Sequence, residues 1–268
     1  SLQMILDKVR SNPRRVVFAE GEDDRVIRAA IQFRNAGYGE PILIGREDRV
    51  KQTMGELGLS GTELEIHNAR LSDKNQIYID FLYKRLQRDG FLTRDCQRLV
   101  NQDRNVFGAC MVANGDADAM LTGVTRVFSV AFNEISRVID PLPNQRIMGV
   151  SLVAGRDHSF LIADTRIHEV PTAEELADIA SEAAQFARKF GHDPRVALLS
   201  FSNFGQPMRP HMQRIRDAVS ILEDRQVDFE FDGDMQAGVA LDYDLMQDVF
   251  PFCRLTGPAN VLVMPALH

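Results

Sequence analysis

Apolar and polar positions alternate with two periods along the first half of the chain. Arg15-Val16-Val17-Phe18-Ala19 is a short β-branched run that stops at Glu20-Gly21, which predicts a strand and a turn. From Asp23 to Arg34 the apolar residues Val26, Ile27, Ala29, Ala30 and Ile31 fall at helical spacing. Pro41-Ile42-Leu43-Ile44-Gly45 predicts a second strand and Asp48 to Leu57 its helix, closed by Gly58. Strands that alternate with helices of about 10 to 15 residues pair in parallel and carry the helices on their faces, so the expected fold class is α/β. Asp73 to Val112 is helical with a break at Gly90, and Ile77, Phe81, Leu82 and Leu86 share one face. A strand is expected from Ala117 to Leu121 and a helix from Asn133 to Ile139, stopped by Pro141 and Pro143.

Ile147 to Ala154 and Ser159 to Ala163 predict a hairpin turning at Gly155-Arg156-Asp157, and its antiparallel pairing interrupts the parallel series. The expected domain boundary lies there, giving a first α/β domain over 1–152 and a second over 153–268. Thr172 and Glu175 form a capping box, each side chain satisfying a backbone donor of the other, and the helix they open runs to Phe190 before Gly191. Strands follow at Val196 to Phe201, Val227 to Phe231 and Asn260 to Met264, with a helix from Met208 to Leu222. Asp228, Glu230 and Asp232 read as an exposed acidic strand face opposite Phe229 and Phe231.

Composition narrows the partners. The 268 residues are 44% hydrophobic and 26% charged, and a chain of this length buries roughly 70% or more of its unfolded surface. With a net charge of −7 and no tract of five like charges, it is not expected to bind nucleic acid, where phosphate neutralisation dominates affinity. The longest apolar stretch, Val261 to Leu267, falls far short of the roughly 20 residues of a spanning helix, so no membrane residence is expected. The chain opens on no signal-peptide pattern, and Cys96, Cys110 and Cys253 form no CxxC pair; a cytoplasmic location is expected.

Several specific motifs are absent. There is no GxxxxGK[ST] phosphate loop, and Gly37-Tyr38-Gly39 lacks the third glycine of a dinucleotide fingerprint. His168-Glu169 opens like HExxH, but Thr172 stands where the second histidine is needed. The acidic run from Asp228 to Gly233 imitates a calcium loop, yet Val239 occupies the position of its bidentate glutamate.

Four polar loops stand at predicted strand ends, where ligands of parallel α/β sheets sit. They are Glu20-Gly21-Glu22-Asp23, Thr122-Gly123-Val124-Thr125-Arg126, Ser200-Phe201-Ser202-Asn203-Phe204-Gly205 and Asp232-Gly233-Asp234-Met235-Gln236. In this order, together with Ala163-Asp164-Thr165, Pro171-Thr172-Ala173-Glu174-Glu175 and Gly257-Pro258-Ala259-Asn260-Val261-Leu262, the chain resembles the phosphate acetyltransferase and butyryltransferase family from about Arg15 onward. Ser202-Asn203-Phe204-Gly205, Ala109 to Met120 and Tyr243 to Met264 are most similar to the version fused to the C-terminal side of bacterial NADP-dependent malic enzymes.

The resemblance implies a three-layer α/β/α fold of the isocitrate/isopropylmalate dehydrogenase type, with two domains around a cleft that receives acyl-CoA. It also marks departures. Active family members read Ser-Thr-Lys-Gly where this chain has Ser202-Asn203-Phe204-Gly205, and Asn133 stands where they place a phosphate-contacting arginine. Losing a close partner of a phosphate dianion costs about 2 to 5 kcal/mol. Arg126 is the cation of the same loop that would compensate. In the family several tens more residues follow the position of Leu267-His268, carrying a serine, an arginine and an aspartate that act on the thiol. No catalytic residue is therefore assigned.

The expected function is an acetyl-CoA-binding regulatory and oligomerisation domain of an NADP-dependent malic enzyme that oxidatively decarboxylates malate to pyruvate. The alternative is an active phosphate acetyltransferase converting acetyl-CoA and phosphate to acetyl phosphate and CoA. The expected ligand contacts are Thr122, Gly123, Arg126, Ser202, Asn203, Gly205, Asp232 and Gly233. Ser202 and Asn203 would donate to the thioester oxygen, and Asp232 would orient a neighbouring side chain or cap a helix beginning near Met235. No cofactor or metal is expected in this domain; NADP and Mg or Mn belong to the malic enzyme domain of the same chain, and the protein is expected to be a homo-oligomer.

Overall fold

A computed structural model of the chain describes residues 2–267 apart from 62, 156–158 and 208. It divides into two units, Leu2–Asp140 and the chain from Pro141 onward. The fold class is α/β, and the sheets are largely parallel.

In the first unit the order is α1 (Leu2–Ser11), β1 (Arg14–Phe18), α2 (Asp24–Asn35), β2 (Gly39–Ile44), α3 (Glu47–Glu56), β3 (Glu65–His67), α4 (Asn75–Leu86), α5 (Thr93–Gln102), α6 (Arg104–Ala113), β4 (Ala119–Leu121) and α7 (Phe128–Ser136). The strands form one parallel sheet in the order β3-β2-β1-β4. Adjacent residues of a strand face opposite sides, so Val17, Ile42 and Ile44 pack on Tyr78, Leu82 and Phe107, while Phe18 and Leu43 pack on Ile27, Ala30 and Val50. Helices thus cover both faces. The long helical stretch from Asp73 breaks at Gly90, as its sequence predicts, and again at Asp103, whose side chain accepts from the amides of Asn105 and Val106 and caps α6. Helix α7 starts five residues before Asn133, because Phe128 to Phe132 form an apolar turn with no polar face to announce it.

The second unit contains β5 (Val150–Ala154), β6 (Ser159–Ala163), α8 (Ala173–Lys189), β7 (Arg195–Leu199), α9 (Gln213–Asp224), β8 (Glu230–Met235), α10 (Ala237–Leu241), α11 (Tyr243–Val249) and β9 (Val261–Val263). The sheet order is β5-β6-β9-β7-β8, with only the β5–β6 hairpin antiparallel among the described residues. Arg156 and Asp157 of the expected turn, and Met208 at the expected helix start, lie outside the described residues. Because β5 is bonded along its length to β6, the division falls at Asp140/Pro141; a cut at 152/153 would pass through a strand. The capping box is present, with Glu175 N donating to Thr172 Oγ1 at 3.2 Å and Thr172 N to Glu175 Oε2 at 2.9 Å. Alanines at 177, 180, 183, 184 and 187 line the buried side of α8. Small side chains let it lie close against α9 and the sheet.

Strand β8 departs from expectation. It spans Glu230–Met235 instead of Val227–Phe231; Asp232 is buried within it and not displayed on an acidic face, and Asp234, expected in the loop beyond, is buried there too. The strand continues through charged residues because each carboxylate finds donors inside the protein, which removes the desolvation penalty that alternation rules assume.

Candidate functional site

Two of the predicted loops are organised in the same way, each around a buried carboxylate. In the first unit Glu20 follows β1 and is 1% exposed. It accepts from the amides of Gly123 at 3.0 Å, Val124 at 2.6 Å and Thr125 at 2.7 Å, and from the Thr125 hydroxyl. The amides of the Thr122–Arg126 loop therefore point at Glu20. Burial pushes the Glu20 carboxyl up, but the Thr125 hydroxyl, the Val124 and Thr125 amides and the Arg104 charge outweigh it and hold the group below the ordinary glutamate range. Gly123 has φ +105°, which an L side chain rarely adopts, so the loop needs glycine for its backbone.

The side chains of this loop are equally committed. Thr122 Oγ1 donates to Asn105 Oδ1 at 2.7 Å, and Asn105 Nδ2 donates to Glu134 Oε2 at 2.7 Å. Arg126 Nη1 lies 2.9 Å from Asp103 Oδ2 and also pairs with Glu134 Oε1. Burial raises the Asp103 carboxyl, yet the Val106 amide, Glu134 and Arg126 bring it below its usual value. Glu134 goes the opposite way, raised by burial and by the proximity of Asp103. Arg126, expected to substitute for the missing phosphate-binding cations, is thus held between two carboxylates. Asn133, on α7, is exposed.

In the second unit Asp234 plays the part of Glu20. It is fully buried, accepts from Gly205 N at 3.0 Å and takes the hydroxyl of Ser202, also fully buried. Ser202 N in turn donates to Ser200 Oγ at 3.1 Å. Asn203 Oδ1 accepts from Gln236 N at 2.8 Å, and its backbone exchanges two hydrogen bonds with Gln206. Phe204, expected to stand where active members carry a lysine, packs its ring against Phe250 at 5.2 Å and Phe252 at 4.8 Å between centroids.

Asp232 does not cap a helix. It lies inside β8, accepts from Gly233 N at 2.9 Å and Arg254 N at 2.8 Å, and the next helix, α10, has Gln236 as its N-cap. A Cβ on Gly233 would come within 2.7 Å of Leu198 O, so the residue is glycine because β8 approaches β7 closely. Asp232 and Gly233 line a cavity of about 460 Å³ with Phe204, Phe252, Arg216 and Arg254.

Another buried carboxylate, Asp164, gathers the amides of Gly149, Arg166, Ile167 and His168, and lies 2.7 Å from His168 Nδ1. Burial raises it, and the Arg166 and Gly149 amides with His168 more than offset the rise. The carboxylates Asp103 and Glu134 and the amide Asn105 were not among the expected site residues; only Asp103, standing before an apolar run, has a readable signal as a helix cap. Burial pushes the Cys253 thiol up to about 11 and Cys110 up to about 12, so neither supplies a nucleophile at neutral pH. Among the described residues no group of three or more His, Cys, Asp or Glu is placed to hold a metal ion, and no helix is long and apolar enough to cross a membrane.

Parallel α/β units with polar loops tied to buried carboxylates at their strand ends set the class of protein. Residues 1–268 match the family described as Phosphate acetyl/butaryl transferase. The chain belongs to this family. It is 52% identical over 270 residues to the NADP-dependent malic enzyme of Rhizobium meliloti (strain 1021), covering 100% of this chain and 35% of that protein. To the probable NADP-dependent malic enzyme of Rickettsia prowazekii (strain Madrid E) it is 46% identical over 280 residues, again over 100% of this chain and 36% of the relative. The chain therefore spans about a third of the length of these curated relatives. Among solved structures, a phosphotransacetylase from Streptococcus pyogenes superposes with a TM-score of 0.89 at 28% identity, covering 100% of this chain and 83% of that one.

Proposed function

We propose that the chain is the phosphate-acetyltransferase-like domain of an NADP-dependent malic enzyme, that it binds acetyl-CoA as a regulatory and oligomerisation domain, and that it does not transfer acetyl groups. The observation that carries this reading is Phe204 seated against Phe250 and Phe252 at the lysine position of the active enzymes. Acetyl transfer to phosphate needs fixed positive charge at the anion. Arg126 does not restore it, being neutralised by Asp103 and Glu134. Similarity to malic enzymes across the whole chain supports the attached activity, with NADP and Mg or Mn held by the malic enzyme domain.

In this reading Thr122, Gly123, Arg126, Ser202, Asn203, Gly205, Asp232 and Gly233 define the effector site mainly through loop shape, since their amides and hydroxyls are largely bonded within the protein. The three-layer α/β/α class of the isocitrate/isopropylmalate dehydrogenase type and a cytoplasmic homo-oligomer belong to the same proposal. Regulation requires that acetyl-CoA bind two states of the oligomer with different affinity, because a ligand that binds both equally shifts nothing. The test is malate oxidation by the full-length protein, followed through NADP reduction while acetyl-CoA is titrated. Inhibition that saturates with acetyl-CoA binding is expected; binding with unchanged malate kinetics would remove the regulatory role.

A further inference from the structure

The first unit contains a second feature, which shares only Arg126 with the contacts of the acyl-CoA reading. The loops after β1, β2, β3 and β4, with the junction of α5 and α6, enclose a cavity of about 300 Å³ lined by Arg46, Arg70, Arg104 and Arg126 together with Asn101 and Glu22. In a chain of net charge −7, four guanidinium groups and one carboxylate converge on one small space. Its place is also the expected one for a ligand. The chain runs outward from β1 through β2 to β3 and returns to the other side of β1 as β4, so the crevice lies outside the carboxyl ends of parallel strands at a topological switch point.

The four arginines are not equally compensated. Arg126 is held by Asp103 and Glu134, and Arg46 forms a two-pronged pair with Glu22 at 2.9 Å on each arm. Arg104 bonds the Thr125 hydroxyl at 2.7 Å and stands 3.6 Å from Glu20, a carboxylate already occupied by three amides. Arg70 is exposed and has no ion-pair partner among the described residues. Two buried polar atoms on lining residues also lack a partner, the donor Arg104 Nε and the acceptor Asn101 Oδ1. Uncompensated guanidinium groups suit a phosphate, and a lone acceptor beside them suits a hydroxyl. The volume is at the small end for organic ligands.

We propose that this crevice is a binding site for a ribose-phosphate group, with Arg70 and Arg104 on the phosphate and Asn101 on a sugar hydroxyl. The site stands on the first unit's own residues, and only its coenzyme source rests on the acyl-CoA reading. The group has two possible sources, a free nucleoside monophosphate or the phosphorylated ribose of a coenzyme.

Calorimetric titration of the full-length protein with inorganic phosphate, AMP and acetyl-CoA tests it. Arg70→Glu alters an exposed loop residue without a partner, and its unfolding midpoint confirms that the fold is kept. AMP is expected to bind more tightly than inorganic phosphate and to lose about tenfold or more in affinity in Arg70→Glu, the effect of one charge-assisted hydrogen bond. Asn101→Leu is expected to weaken AMP and leave inorganic phosphate unchanged. A parallel loss for acetyl-CoA in Arg70→Glu identifies the coenzyme as the source, and an unchanged acetyl-CoA affinity identifies a free nucleotide; both support the site. Absence of AMP binding at millimolar concentration, or AMP affinity indifferent to Arg70→Glu, would overturn the proposal.

Discussion

The loop at the end of β4 and the loop at the end of β7 are built by the same device and present opposite chemistry. Glu20 gathers Gly123, Val124 and Thr125, and Asp234 gathers Ser202 and Gly205. Around the first, arginines 46, 70, 104 and 126 crowd a crevice; around the second, Phe204, Phe250 and Phe252 form an apolar cluster. The scaffold and the charge are therefore separable. A buried carboxylate keeps a strand-end loop in shape whatever side chains the loop displays, so retention of the loop says little about retention of the chemistry. Guanidinium groups gather at the first unit's crevice, whereas the Ser202–Gly205 loop carries none.

The largest expected effect tests whether the shared device is what holds the loops. Glu20→Ala leaves three loop amides without an acceptor and is expected to cost about 3 kcal/mol or more in urea unfolding. Since the Glu20 carboxyl is held below its ordinary value of 4.5, its stabilisation is complete above that pH and lost as the pH falls through the lowered value. The variant should show a correspondingly flatter acid limb, and an unchanged one would mean that Glu20 does not hold the loop.

The next effect concerns charge alone. Arg126→Gln leaves Asp103 facing Glu134 without a cation, at a cost of about 2 kcal/mol near neutral pH. Glu134 is raised above its usual value, so falling pH protonates it first and the deficit should shrink as the pH falls through that raised value. A pH-independent deficit would show that Arg126 acts by packing. Phe204→Ala sharpens the aromatic side of the comparison. The ring is half-buried, and its loss is expected to cost about 1 to 2 kcal/mol in the same unfolding assay, with no dependence on salt.

The smallest effect is Arg46→Ala at the rim of the crevice. The Arg46 hydrogen bond, with its charge, holds the Glu22 carboxyl at about 2. The pair is exposed, so the change in stability should stay below about 1 kcal/mol. An NMR titration should find Glu22 back in the ordinary glutamate range; a carboxyl still at its low value would assign the shift to another group.

The alternation of β-branched runs with helical spacing was enough to read the α/β class, the β5–β6 hairpin and the Thr172 capping box. It failed where local pattern and burial part company. Asp232 looks solvated in a linear reading, yet it and Asp234 are buried because donors from residues 254 and 202–205 reach them. Helix α7 hides its start in an apolar turn. At the site, the Thr122 and Ser202 loops are visible as polar insertions after strands. What their donors do is not, since Asn105, Glu134 and Asp234 come from 17 to 32 positions away or from another element. The arginine crevice draws on five segments, and only those of Glu22 and Arg126 are polar loops that the sequence singles out.

Release of free thiol from acetyl-CoA in the presence of phosphate, measured on the full-length protein, tests the account most directly. With Phe204 in place of a cation and Arg126 already paired, the rate should not exceed that of a reaction without protein. Sustained phosphate-dependent thiol release would contradict the account and make the chain a working transferase.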